Sequence, residues 1–127
     1  NQQFIYSLRR MLDPIKEHVD NNFNPLPEEY IKEFTPVRQK INDLMKMSCE
    51  QIETGRYENY REILAEADAC KDELSLIRKK HIDRIQNMGD NTLLKVSLVY
   101  LNVLQESQEF LSVMRHQLRA AKKFMEN

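Results

Sequence analysis

The stretch from Arg56 to Gly89 constrains the fold of this chain more than any other part of the sequence. It contains no proline and no internal glycine, and its apolar residues recur at intervals of three and four. This spacing predicts one long amphipathic helix that needs neighbours of similar length to bury its apolar face. The apolar positions are Tyr60, Ile63, Leu64, Ala67, Cys70, Leu74, Ile77, His81 or Ile82, and Ile85. Gly55 and Gly89 are the only glycines of the chain, and each is predicted to end a helix in the left-handed conformation.

A second helix is predicted to precede Gly55. Residues 27–29 read as an isolated first turn, with proline followed by two acids. The dipeptide Thr35-Pro36 is predicted to interrupt it, so that Thr35 caps a helix proper that runs from Pro36 to Thr54. Its predicted apolar face consists of Val37, Ile41, Leu44, Met45, Ser48 and Ile52.

The two ends of the chain also show helical periodicity. An N-terminal helix is predicted to end near residues 21–22, and Pro14 is expected to kink it or to start a fresh turn. A last helix is predicted from about Thr92 to Met125, with Asp90 and Asn91 as capping residues. Its predicted face is Leu94, Leu98, Leu101, Leu104, Gln108, Leu111, Met114 or Arg115, and Leu118, widened by Val96, Val99 and Val103.

Composition limits the class of protein. The 127 residues fit a single domain, and 19 basic against 20 acidic residues give no reason to expect a nucleic-acid partner. Cys49 and Cys70 are the only cysteines, which favours reduced thiols over a disulfide scaffold. The chain begins at Asn1 inside a helical pattern, and we therefore expect a fragment of a longer protein. With short connections between the helices, the sequence predicts an all-α, antiparallel up-down helical bundle of three long helices plus an N-terminal one.

Four carboxylates are candidate metal ligands. Asp68 and Asp72 are one turn apart on the central helix, so both project from one strip. Counting outward from the two glycine turns puts Asp43 level with Asp68, and Glu106 level with Asp72. Such a belt of hard oxygen ligands can share a divalent or ferric ion. The alternative is that all four are solvated surface residues, which are common in a chain with 31% charged residues.

Histidines and basic residues allow two readings. His81 falls on the central apolar face and is predicted to be a core or boundary histidine rather than a ligand. Basic residues gather toward the ends of the central and last helices, where cations favour the helix dipole. The alternative function for them is contact with anionic lipid head groups or with another domain. These basic residues are Arg78, Lys79, Lys80 and Arg84, and Arg115, Arg119, Lys122 and Lys123.

Three runs of sequence resemble one family. They are HVDNNFNPLPEEY, DACKDELSLIRKKHIDRIQ and SLVYLNVLQESQEFLSVMRHQLRAAKK. Together they resemble the PhoU-like helical domain at the cytoplasmic C-terminus of bacterial sodium/phosphate cotransporters. The resemblance implies a bundle with E/D-x-x-x-D metal motifs, which Asp68 and Asp72 match. Asn102-x-x-x-Glu106 and Gln39-x-x-x-Asp43 have an amide in place of the first acid.

The resemblance implies a non-enzymatic regulatory domain that modulates phosphate uptake from the cytoplasmic side of the bacterial inner membrane. Its expected partner is the transmembrane transporter domain of the same chain, and a homodimer and contact with a membrane surface are further partners that the sequence allows. The alternative function is a stand-alone helical adaptor or dimerisation module without a transport role. A carboxylate-bridged metalloenzyme is disfavoured, because di-iron bundles use two Glu-x-x-His pairs and this chain has none.

Overall fold

The computed structural model describes residues 2–89 and 91–126, apart from the side chain of Thr92. This part of the chain is all-helical, which confirms the predicted fold class. The helices are α1 (Gln2–Phe23), α2 (Glu28–Thr54), α3 (Tyr60–Gln86) and α4 (Asn91–Glu126).

The helices form an antiparallel up-down bundle around one core. Contacts between sequential helices run in opposite directions along the chain, as expected for short connections. α4 contacts all three other helices, whereas α1 and α3 make no contact with each other among the described residues. α2 likewise contacts the other three helices, so α2 and α4 together separate α1 from α3.

α2 is longer than predicted, because Thr35-Pro36 does not interrupt it. The helix is continuous from Glu28, and Pro36 lies in its interior with both neighbouring turns helical. Thr35 is not an N-cap; its hydroxyl donates to the Ile31 carbonyl at 2.5 Å. The reason is packing: Tyr30 and Phe34, which precede the proline, are buried, and their burial outweighs the single backbone donor that proline removes. α1 likewise continues through its proline, at position 14, and ends at Phe23.

The two glycines behave differently. Gly55 ends α2 in the left-handed conformation, with φ 71° and its N–H donating to the Gln51 carbonyl at 2.9 Å, as predicted. α3 then starts four residues later than expected, at Tyr60. The prediction for Gly89 is wrong, because α3 ends at Gln86 and Gly89 has no positive φ. Asp90, predicted as a cap, lies outside the described residues.

The predicted apolar faces of α2 and α3 are confirmed. In the first half of α4, the buried face is rotated around the helix axis relative to the predicted face. Ser97 and Tyr100 are fully buried there, while Leu98 is 47% exposed. The three valines and four leucines of residues 93–103 repeat so closely that periodicity alone does not fix the direction of the helix face. From Val103 onward the predicted leucines and Met114 are buried, together with Ser107, Phe110 and Ala121, which the prediction did not include.

None of the described helices combines the length and the apolar character that crossing a lipid bilayer requires.

Candidate functional site

Asp68 and Asp72, the central pair of the predicted metal belt, lie on the exposed surface of α3. Asp68 already has a cationic partner, since Arg115 Nη2 of α4 donates to its Oδ2 at 3.2 Å. About half of the Asp68 side chain is open to solvent, 53% by relative area, so this ion pair is screened and weak. The two carboxylates are close enough to share an ion, and metal binding by this pair stays a prediction.

Asp43 and Glu106 point to other neighbours. Asp43 accepts a hydrogen bond at 3.0 Å from Gln39 Nε2, one turn away on its own helix. Glu106 is paired with His18 of α1, on the side of α4 away from α3. Within the described residues, no group of three or more His, Cys, Asp or Glu side chains is placed to hold a metal ion. Among the described residues, the four carboxylates are therefore not gathered into one group, because Asp43 and Glu106 bond to different neighbours.

The thiols are free and poorly activated. Cys70 is buried, and burial followed by the charge of Glu73 raises its pKa to about 11. Burial is also the largest cause that raises the pKa of Cys49, which is partly exposed beside Arg9. Because the thiolate is the reactive form, both sulfurs are poor nucleophiles at neutral pH.

A buried polar cluster joins α2, α3 and α4 at the end of the bundle where α3 connects to α4. We call it the polar hub. Its members all come from the first turns of α2, the last turns of α3 and the first turns of α4. They are Tyr30, Glu33, His81, Arg84, Ser97 and Tyr100.

Glu33 is the centre of the polar hub. Its Oε1 accepts from Tyr100 Oη at 2.8 Å and from Arg84 Nη2 at 2.7 Å. Lys80 Nζ lies 3.5 Å from its Oε2. The other end of the guanidinium, Nη1, donates to Glu29 at 3.2 Å. The carboxylate thus receives donors from both α3 and α4, and Arg84 ties α3 to two successive turns of α2.

Three aromatic rings pack beneath this ion pair. Tyr30 and Tyr100 are stacked, with centroids 4.6 Å apart and planes 7° from parallel, and His81 meets both edge-on at 4.9 and 4.8 Å. His81 Nε2 donates to the Ser97 carbonyl at 2.8 Å, because a carbonyl can only accept. Its Nδ1 has no hydrogen-bond partner in the described part of the chain. The ring is fully buried, so it is held as the neutral tautomer with the proton on Nε2.

The charge states of the polar hub follow from these contacts. Burial opposes ionisation of Glu33, but the hydrogen bonds from Arg84 and Tyr100 outweigh it, so the pKa of Glu33 is lowered. Burial lowers the pKa of His81, and the nearby Arg84 charge lowers it further, against the hydrogen bond to the main chain. Burial and then the bond to Glu33 raise the pKa of Tyr100. At neutral pH the polar hub therefore contains one ionised pair, Glu33 and Arg84, beside a neutral imidazole and phenol.

The sequence reading identified His81 as a core histidine, which is confirmed, but it missed most of the polar hub. The prediction missed Tyr30 because it began the second helix proper only at Pro36. It missed Ser97 and Tyr100 because the predicted face of α4 was rotated away from the observed one. One signal was available: the 4-3-4 spacing of Tyr30, Phe34, Val37 and Ile41 continues through the proline.

The chemistry of the polar hub is structural. Tyr100, His81 and Ser97 are fully buried, so no substrate reaches them without opening the bundle. The one ionised pair is bonded to residues of α2, α3 and α4, which positions three helices rather than a reacting group.

Protein-family models, curated proteins and solved structures were all compared with this chain, and none of them matches it.

Proposed function

We propose that this chain is a non-enzymatic regulatory bundle of the PhoU-like kind, which modulates a sodium-dependent phosphate transporter by contact through its outer helix faces. The observation that carries the proposal is the closed interior. Glu33 and Arg84 are paired with each other inside the polar hub, and the thiols are poorly activated. A domain built in this way offers its partners surfaces rather than a reaction pocket.

The resemblance of the sequence runs described above supports the transporter as the partner, and the bundle architecture is compatible with it. The proposal places the chain at the cytoplasmic side of the bacterial inner membrane, next to the transmembrane domain of the same polypeptide. Regulation then consists of docking and release of the bundle, which shifts the transporter between states only as far as the bundle binds them with different affinity.

Phosphate uptake tests this function. Cells that express the complete polypeptide are compared with cells in which the coding region for the bundle is deleted, using labelled phosphate with and without external sodium. We expect sodium-dependent uptake in both strains, with its dependence on phosphate supply lost on deletion. A gene that encodes no transmembrane segments beside the bundle contradicts the proposal. Self-association of the purified chain would then favour the adaptor or dimerisation module.

The metal component is tested separately. We expect Asp68→Ala combined with Asp72→Ala to leave the free energy of unfolding within about 0.5 kcal/mol, because both side chains are exposed. Titration calorimetry with Mn²⁺ and Fe³⁺ on the parent chain and this variant measures whether the pair binds an ion. Equal heats for both proteins, or elemental analysis without stoichiometric metal, would remove the metal component and leave the regulatory proposal standing.

A further inference from the structure

The bundle end opposite the polar hub carries a surface of unusual charge. Residues 2–12 at the start of α1 and residues 113–125 at the end of α4 contain basic residues and no acid, although the whole chain has a net charge of −1. The two segments are neighbours, since Phe4 and Phe124 pack with ring centroids 5.1 Å apart. We call their joint surface the terminal face.

The terminal face also concentrates exposed apolar side chains. Large exposed apolar residues elsewhere among the described residues are Leu76, Leu93 and Leu98, which are leucines of α3 and α4. The terminal face carries four more, at exposures between 50% and 67%. They are Tyr6, Met11, Phe124 and Met125. A soluble surface normally scatters such residues singly, so four of them in two neighbouring segments that carry basic residues and no acid indicate a contact surface.

Not every cation of the terminal face is available. Arg115 is paired with Asp68, Lys122 with Glu126, and Arg9 lies beside Cys49. The outward cations are Arg10, Arg119 and Lys123, all exposed. Arg119 and Lys123 are one turn apart and line a shallow groove of about 580 Å³, which also includes Tyr60 of α3 and Glu126, the partner of Lys122.

A second groove, of about 520 Å³, borders the apolar edge of the same face. Its lining includes Tyr6, Phe4 and Phe124, from α1 and α4. The basic residues of the terminal face thus lie on the side of α4 next to Tyr60 of α3, and the aromatic residues on the side next to α1. Lysine and arginine contact anionic head groups while adjacent aromatic side chains enter the boundary of the acyl chains.

We propose that the terminal face binds the surface of an anionic lipid bilayer. An acidic protein partner would match the cations, but it would leave the exposed aromatic residues without a function; a bilayer surface matches both. The proposal does not depend on the identity of the transporter, because it rests on this face alone. Attraction must be local, since a chain of net charge −1 gains nothing from its overall charge.

Vesicle sedimentation tests the charge component. The chain is mixed with vesicles of phosphatidylcholine alone or of phosphatidylcholine with phosphatidylglycerol, at low and at physiological salt. We expect binding to the anionic vesicles only, and weakening by salt. Arg119→Glu with Lys123→Glu should weaken binding about thirty-fold or more, the factor that two basic contacts of about 1 kcal/mol each correspond to. Lys79→Glu with Lys95→Glu changes the net charge equally at exposed positions outside the face and should bind like the parent.

A fluorescence experiment tests the apolar component. The chain has no tryptophan, so Phe124→Trp provides a single reporter, and its emission should shift to shorter wavelength with anionic vesicles. Leu76→Trp is the matched control, 68% exposed on α3 and outside the face, and should not shift. Equal loss of binding in both charge-reversed pairs, a shift from both reporters, or binding to polyglutamate without binding to vesicles would each overturn the proposal.

Discussion

The two ends of this bundle differ in where they place their polar residues. At the hub end, a carboxylate and a guanidinium with little solvent access, a buried imidazole and two buried phenols join three helices through hydrogen bonds. At the terminal face, cations point outward and aromatic residues remain exposed. One end is therefore closed and determines which helices pack together, while the other is open and available to a partner.

The difference predicts where mutations act. Buried polar networks are sensitive because each removed partner leaves another group unpaired in a low-dielectric interior. Exposed residues contribute little to stability whatever their chemistry. Stability should therefore depend on the hub end, and binding on the terminal face.

The largest effect is expected from Tyr100→Ala. It removes a fully buried ring that stacks on Tyr30 and donates to Glu33, and the free energy of unfolding should fall by about 4 kcal/mol. Urea denaturation followed by circular dichroism measures this. The same substitution at the other end, Tyr6→Ala at a side chain 67% exposed, should change it by less than about 0.5 kcal/mol. Equal losses at the two positions would refute the contrast between the ends.

A smaller effect is expected from breaking the ion pair of the polar hub. Arg84→Met keeps the aliphatic stem but leaves Glu33 with fewer donors, and should cost about 2 kcal/mol, since both side chains retain some solvent access. Lys122→Met removes the exposed pair with Glu126 and should cost no more than about 0.5 kcal/mol. The double variant Glu33→Gln with Arg84→Met tests the coupling. If its loss in free energy of unfolding equalled the sum of the losses of the two single variants, the two residues would not be coupled.

The next prediction concerns pH. The folded pKa of His81 lies below its ordinary value of 6.5, so the unfolded chain binds the proton more readily. Stability contributed by neutral His81 is complete above pH 6.5 and is lost as the pH falls toward the lowered pKa, with a slope of at most about 1.4 kcal/mol per pH unit. Glu33, lowered from 4.5, acts in the same direction only at more acidic pH.

The midpoint of urea denaturation is measured at a series of pH values, from neutrality down to the pH at which protonation of Glu33 begins to lower stability. His81→Gln should flatten the dependence, whereas His116→Gln, an exposed histidine at the other end, should leave it unchanged. A parent protein whose midpoint does not vary over this range would show that His81 is not held neutral by the fold.

The sequence predicted the bundle well because helix periodicity, proline and glycine are local signals. It predicted the candidate site poorly because a site depends on rotation around helix axes, which packing decides. Asp43 bonds to Gln39 of its own helix and Asp68 to Arg115 of α4, and Tyr100 was absent from the predicted face of α4 although it is fully buried. Hub residues also lie beside the interruption expected at Pro36, where a local rule was overridden by the burial of Phe34.

The two glycines give the smallest predicted effect, and it runs against this contrast because backbone conformation, and not side-chain burial, decides it. Gly55, near the terminal face, has a φ of 71°, which costs an L-residue about 1 kcal/mol, so Gly55→Ala should destabilise the bundle by about that amount. A Cβ there would lie 3.8 Å from Met125, an ordinary contact, so backbone conformation alone determines the effect. Gly89, near the polar hub, has open space around its Cβ position and no positive φ, and Gly89→Ala should be neutral or slightly stabilising. Because both glycines look alike in the sequence, thermal unfolding of the two variants separates a glycine that the turn requires from one that it does not; equal destabilisation would mean that the second turn also requires a left-handed residue.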